Sequence, residues 1–151
     1  MTPKEKLFLK NIKDFEKSID WLERALKKSE TVDVDGLSEE DIEKIEVLFS
    51  RFSRSVDMLI NRVLRGIDLL ELEDIGTKLD VVIRAEKRGF VESFRELIAL
   101  KDLRNELAHE YLGEWFVNKL PEVVEASKRL IEIANRVLNY VYEELIPKIE
   151  S

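Results

Sequence analysis

The stretch SEEDIEKIEVLFSRFSRSVDMLINRV, residues 38–63, decides the fold class. Ile42, Ile45, Phe49, Phe52, Val56, Leu59 and Val63 recur at steps of three and four, which lays them along one face of an α-helix with charged and hydroxyl side chains between them. A half-buried strand would need strict alternation, and none is present. Ser38, followed by Glu39, Glu40 and Asp41, reads as a helix start: a hydroxyl to cap free backbone N–H groups and acids at the positive end of the helix dipole. The pattern continues towards Leu72, with Gly66 as a point of disturbance. A helix of this length cannot bury its apolar stripe alone, so it reads as one stave of a bundle.

The same signals extend in both directions. Thr2-Pro3-Lys4-Glu5 has a capping hydroxyl, a proline in the first turn and a glutamate at the third helical position, and Phe8, Ile12, Phe15, Ile19, Leu22 and Leu26 follow at helical spacing. Glu30 to Leu37 breaks that period and reads as a loop. Thr77 caps a third helix through Leu79, Val82 and Ile83, closed at Gly89. A fourth is expected from about Val91 to Leu112, stopped by Gly113. The last runs from about Asn118 to Ile146 with Leu120, Val124, Ile131, Ala134, Leu138, Val141 and Leu145 on one side, and Pro147 is expected to end it. No internal repeat is visible. The expected fold is all-α: an up-and-down helical bundle of four long helices plus a shorter helix, in one domain spanning residues 1–151.

Composition narrows the chemistry. A chain of 151 residues buries roughly 70% of the surface its unfolded form exposes, enough for one sizeable core. There is no cysteine and one histidine, which removes thiolate nucleophiles, disulfides and Cys-ligated metals and leaves carboxylates as the main candidates for any metal site. No cofactor or metal is expected. No apolar run approaches the ~18 residues of a membrane span, and the N-terminus lacks the apolar stretch of a signal peptide, so the reading is a soluble cytoplasmic protein with no membrane partner. Charged residues make up 38% of the chain and the net charge is −7. That balance argues against indiscriminate capture of nucleic acid, which depends on neutralising phosphates, but leaves room for a local basic cleft.

One segment conflicts with its own pattern. On the fourth helix Phe94, Leu97, Ile98, Leu100, Leu103, Leu107, Ala108 and Leu112 project onto an apolar arc roughly 220° wide. Arg104 falls near the middle of that arc, Asn105 within it and His109 at its edge. An unpaired buried guanidinium is costly, so a position with no other use would carry Leu or Met. Tyr111 lies two turns after Arg104 on nearly the same line. His109 is about 140° from Arg104 in projection; the two converge if the helix ends or bends between Ala108 and Gly113, or if a second copy of the chain contributes across a two-fold axis. The plainer reading pairs Arg104 with a carboxylate such as Asp57 on the second helix, leaves His109 on the surface and makes Tyr111 a packing residue.

The string Arg104-Asn105-Glu106-Leu107-Ala108-His109-Glu110-Tyr111 resembles the HEPN superfamily and, within it, the HepT-like toxins and their nucleotidyltransferase-associated relatives. Their mark is an arginine, often followed by asparagine, a histidine four to six residues after the arginine and, in the HepT-like branch, a tyrosine two residues beyond the histidine. The chain's size, its all-α pattern and the motif's place late in the penultimate long helix agree with that resemblance. Leu112-Gly113-Glu114-Trp115 departs from it in lacking an aspartate after the tyrosine. The resemblance implies a homodimer that cleaves RNA without metal at the dimer cleft, with Arg104 and His109 catalytic and Asn105 supporting. It also implies a nucleotidyltransferase antitoxin as partner, with Tyr111 the acceptor of an adenylyl group.

The residue types suit that chemistry. An imidazole of ordinary pKa exchanges a proton with a ribose 2′-hydroxyl or a departing 5′-oxygen near neutrality, and a forked, permanently charged guanidinium suits the charge that builds on a phosphate under attack. Arg51, Arg54, Arg62 and Arg65 form a stripe on the second helix, and Arg84, Lys87 and Arg88 close the third. These are RNA contacts in one reading and solvated or acid-paired side chains in the other. Two further functions compete with the nuclease: a non-catalytic substrate-binding or regulatory subunit of a nucleotidyltransferase, and a plain helical scaffold.

Overall fold

The computed structural model describes residues 1–71, 74–109 and 113–151, and among these there are helices and turns but no strand. The expected all-α helical bundle is what forms. Helix α1 (Pro3–Ser29) opens with the capping box read from the sequence: the Thr2 hydroxyl accepts from the Glu5 N–H at 3.1 Å, and the Glu5 carboxylate accepts from the Thr2 N–H at 2.8 Å. A loop leads to α2 (Glu39–Met58), started by the same reciprocal arrangement of Ser38 and Asp41. A π-helical segment (Leu59–Leu64) then continues into α3 (Arg65–Leu70) as one rod.

Helix α4 (Lys78–Lys87), capped by Thr77, ends as expected at Gly89. The φ of Gly89 is +83°, which glycine adopts without a Cβ penalty. The N–H groups of Gly89 and Phe90 turn back to the carbonyls of Glu86 and Ala85, satisfying two acceptors of the last turn. Helix α5 (Phe94–Leu107), the short α6 (Glu114–Asn118) and α7 (Leu120–Tyr140) follow. A π turn (Val141–Leu145) passes into α8 (Ile146–Glu150).

Helix α1 lies along α2, and α7 packs on both. On the other side α5 lies against α2 and α4, so that α2 is shared between the two halves of the molecule. Phe15, Phe52, Ile12, Leu22, Ile45, Leu59, Leu97, Leu130 and Ile133 are among the fully buried side chains of one connected apolar core. No described helix is long and apolar enough to cross a membrane.

Several details differ from the sequence reading. Pro147 does not end the last helix. The preceding π turn sends the Ile146 N–H to the Val141 carbonyl, five residues back, and this widening relieves the clash a proline ring meets in a regular helix. The disturbance expected at Gly66 lies just upstream, in the π segment. Gly66 itself is a place of close approach, where an added Cβ would stand 2.8 Å from Cδ1 of Phe8. Ile42 and Leu79, placed on core faces by their spacing, are exposed at the first turns of their helices.

The fourth helix starts later than expected, at the Ser93 cap, and its last α-helical residue is Leu107. Helix α6 was not foreseen. Residues 110–112 lie outside the described residues, and with them Tyr111.

An internal ion-pair system ties α3 to α4. Asp68 is fully buried and accepts from Arg84 at 3.2 Å and from Arg88 at 2.6 Å, and Arg88 also faces Glu71 at 3.5 Å. Two of the cations that closed the third helix in the sequence are therefore held by an internal carboxylate.

Candidate functional site

Helix α5 buries Leu97, Leu100, Leu103 and Leu107, a stripe narrower than the arc drawn from sequence. Phe94, Ile98 and Ala108 are half-buried, and Asn105 is exposed rather than within the apolar face. Arg104 sits at the edge of the buried stripe, where α5 faces α2. Its guanidinium is held by both oxygens of Asp57, Nε to Oδ1 at 2.9 Å and a terminal nitrogen to Oδ2 at 3.0 Å. This is the fork-to-fork geometry that only arginine makes with a carboxylate. The side chains are 31% and 42% exposed, so the pair borders solvent while its partner fixes its orientation. The conflict that a buried, unpaired Arg104 would have posed is resolved by Asp57, the partner the plainer reading named.

The Arg104–Asp57 pair forms a ridge between two concavities. On one side is a groove of about 1010 Å³ between α2 and the C-terminal half of α5. Its apolar lining comes from Phe49, Met58, Leu107 and Phe116, and its cations are Arg54, Arg62 and Arg104. Phe116 of α6 packs against Phe49 of α2 with ring centroids 4.9 Å apart. On the other side a smaller hollow of about 220 Å³ is lined by Asn61, Lys78, Lys101, Arg104 and Asn105 around Asp57. Both concavities share Asp57, Asn61 and Arg104.

The basic stripe read from α2 divides. Arg54 and Arg62 line the groove, whereas the Arg51 guanidinium stacks over Trp21 of α1, 4.4 Å from the ring centroid. Asn61, Lys78 and Lys101 were missed. Lys101 precedes Arg104 by one helical turn and Asn61 follows Asp57 by one, so two of the three were readable once Arg104 and Asp57 were paired. Lys78 comes from α4 and carries no such local signal.

His109 stands just past the end of α5. The Ala108 N–H bonds to the Arg104 and Asn105 carbonyls and the His109 N–H to the Glu106 carbonyl at 3.1 Å, closing the last turn. His109 is exposed and is not among the described residues that line either concavity beside Arg104. The last turn of α5 is fixed from outside by Lys119, which bonds Glu106 at 2.6 Å and Glu122 at 2.9 Å. The hydrogen bonds to Glu106 and Glu122 raise the Lys119 pKa above its ordinary value. Among the described residues no group of three or more His, Asp or Glu side chains is arranged to hold a metal ion.

Comparison of the chain with family models, with curated proteins and with solved structures finds no match.

Proposed function

We propose that this chain is a cytoplasmic, metal-independent endoribonuclease of the HEPN type, working as a homodimer. The observation that carries the reading is one of place. Arg104, in the last turns of α5, lines a groove that also presents Arg54 and Arg62, while Asn105 lines the adjoining hollow and His109 follows just beyond the helix, in a chain whose net charge is −7. Cations gathered on one face of an acidic protein mark a phosphate-binding surface.

Asp57 orients the Arg104 guanidinium towards the phosphate, and Asn105 supports the histidine. In the reaction the ribose 2′-oxygen attacks the adjacent phosphorus. A P–O2′ bond forms, the P–O5′ bond breaks, one proton leaves the 2′-hydroxyl and one is delivered to the 5′-oxygen. His109 of one protomer takes the first proton and the second protomer's copy supplies the other, which is why the exposed imidazole requires a two-fold partner. Cleavage in the presence of EDTA, with 2′,3′-cyclic phosphate ends, is the expected result. Dependence on a divalent ion would overturn the mechanism, and a strictly monomeric protein at micromolar concentration in light scattering would overturn the dimer.

Control falls to Tyr111 and a nucleotidyltransferase antitoxin. The phenolic oxygen gives up its proton to solvent and attacks the α-phosphorus of ATP, pyrophosphate departs with the electron pair, and the AMP left on Tyr111, seven residues after Arg104 in the sequence, adds a negative charge that competes with RNA phosphate. Intact-mass measurement after co-expression with such an enzyme should show the added adenylyl group together with loss of cleavage.

The bidentate clamp of Asp57 on Arg104 favours one other reading, a non-catalytic regulatory subunit of a nucleotidyltransferase in which Arg104 is structural. A purified dimer that binds the transferase tightly and leaves every RNA intact would select it.

A further inference from the structure

We propose that the hollow beyond the Arg104–Asp57 ridge is a second phosphate subsite, so that a single RNA strand crosses the ridge with phosphates held on both sides of Arg104. Lys78 and Lys101 are its anchors. The inference rests on the nuclease reading for the identity of the strand and extends it by giving the strand a path.

Four observations support the path. The hollow is predominantly polar: Lys78 of α4, Lys101 and Asn105 of α5 and Asn61 of the π segment converge around the ridge, and among the described residues only Val56 and Ile60 give it an apolar lining. Among the described residues neither Lys78 nor Lys101 forms an ion pair, so both ammonium groups are available to a ligand. The groove and the hollow adjoin, sharing Asp57, Asn61 and Arg104 as lining. The combined surface presents Arg54, Arg62, Lys78, Lys101 and Arg104 against Glu46 and Asp57, which inverts the sign of the chain as a whole.

The two sides differ in what they accept. The groove has an aromatic and aliphatic lining, Phe49, Phe116, Met58 and Leu107, that suits the flat faces of bases, with Arg54 and Arg62 at its polar edge. Among the described residues the hollow offers amides and ammonium groups but no aromatic ring, and its volume of about 220 Å³ suits a phosphate and part of a ribose rather than a stacked base. A strand seated in both has a base in the groove, its reacting phosphate at Arg104 and a neighbouring phosphate between Lys78 and Lys101. Discrimination among bases then belongs to the groove alone.

The test measures binding separately from cleavage. A fluorescent single-stranded RNA with 2′-O-methyl riboses, which cannot be cleaved by 2′-oxygen attack, is titrated with wild type, Lys78→Gln/Lys101→Gln and the control Lys128→Gln/Lys148→Gln across a salt series. Each lost phosphate contact reduces the slope of log K against log salt by about 0.7, so the site variant should lose about 1.4 from its slope and the control should lose nothing. Thermal melting of the site variant should match wild type, since no ion pair is broken. An unchanged slope in the site variant, an equal loss in the control, or absence of RNA binding by wild type would each overturn the subsite. Failure of the nuclease reading shows itself differently: binding and its slope change persist, but unmodified RNA stays intact.

Discussion

Two aspartates in this fold, each held by arginine, have the same chemistry and opposite expected consequences, which makes them a test of the burial argument. Asp68 is fully buried between Arg84 and Arg88, themselves only 21% and 12% exposed. Replacing it by Asn keeps the shape and removes the charge, leaving two guanidinium groups in a low-dielectric site with a neutral amide. Breaking a buried pair in this way costs about 3–5 kcal/mol. Arg88 retains Glu71 and Arg84 retains the Ile75 carbonyl, which places the cost at the lower end, about 3 kcal/mol. For a domain of this size that corresponds to a fall in melting temperature of roughly 6–12 °C.

Asp57 is 42% exposed, and solvent screening limits its pair with Arg104 to about 1 kcal/mol or less, or roughly 2–4 °C. Asp57→Asn should therefore melt close to wild type but lose most RNA cleavage, because the guanidinium is no longer held towards the groove. Asp68→Asn should melt early and, at a temperature where it is folded, cleave normally. Calorimetric melting combined with cleavage assays at 20 °C, roughly room temperature, reads both. If Asp57→Asn proved the more destabilising substitution, or Asp68→Asn melted like wild type, the burial argument would be refuted.

Two further outcomes follow from the packing and the charges. Gly66→Ala places a methyl group 2.8 Å from the buried Phe8 ring, an overpacking cost of about 1–3 kcal/mol set against about 1 kcal/mol of gained helix propensity. Net destabilisation is expected in chemical denaturation, with partial recovery when Phe8 is changed to Leu; a stabilised Gly66→Ala would contradict the close approach. For Glu96, burial raises the carboxyl pKa but is outweighed by the Arg129 side chain and the Ser93 and Glu92 N–H groups, so the pKa lies below its ordinary 4.5. Stability from this group is fully present above about pH 4.5 and is lost as pH falls through the lowered value. Glu96→Gln should lower stability at pH 7 and flatten its acid dependence, and an acid limb identical to wild type would argue against the Arg129 contact.

Much of the fold was legible because its signals are local. The capping boxes at Thr2, Ser38 and Thr77 and the glycine stop at Gly89 each need only a few neighbouring residues, and the three-four spacing of Phe8 to Leu26 is carried by one helix. What was not legible depends on geometry between elements. The spacing of Ile42 and Leu79 says which side of a helix they occupy but not whether another element covers that side. Pro147 breaks an α-helix, and sequence does not announce the π turn that admits it.

The candidate site divides in the same way. Arg104, Asn105 and His109 stood out because a charged residue interrupted an apolar face, and Asp57 could be named as a partner from the pairing of helices. Lys78 joins the site through the packing of α4 on α5, a contact with no counterpart in sequence spacing. Reading Arg104 as central to the apolar arc overstated its burial, because the arc was drawn wider than the stripe that α5 buries.

The most direct test of the central claim is RNA cleavage by wild type, Arg104→Ala and His109→Ala side by side, each verified as folded by circular dichroism and assayed with EDTA present. The account predicts cleavage by wild type alone, with each single substitution removing nearly all activity because the two groups act in one step. Wild-type cleavage retained in either variant, or RNA left intact by all three proteins, would contradict it.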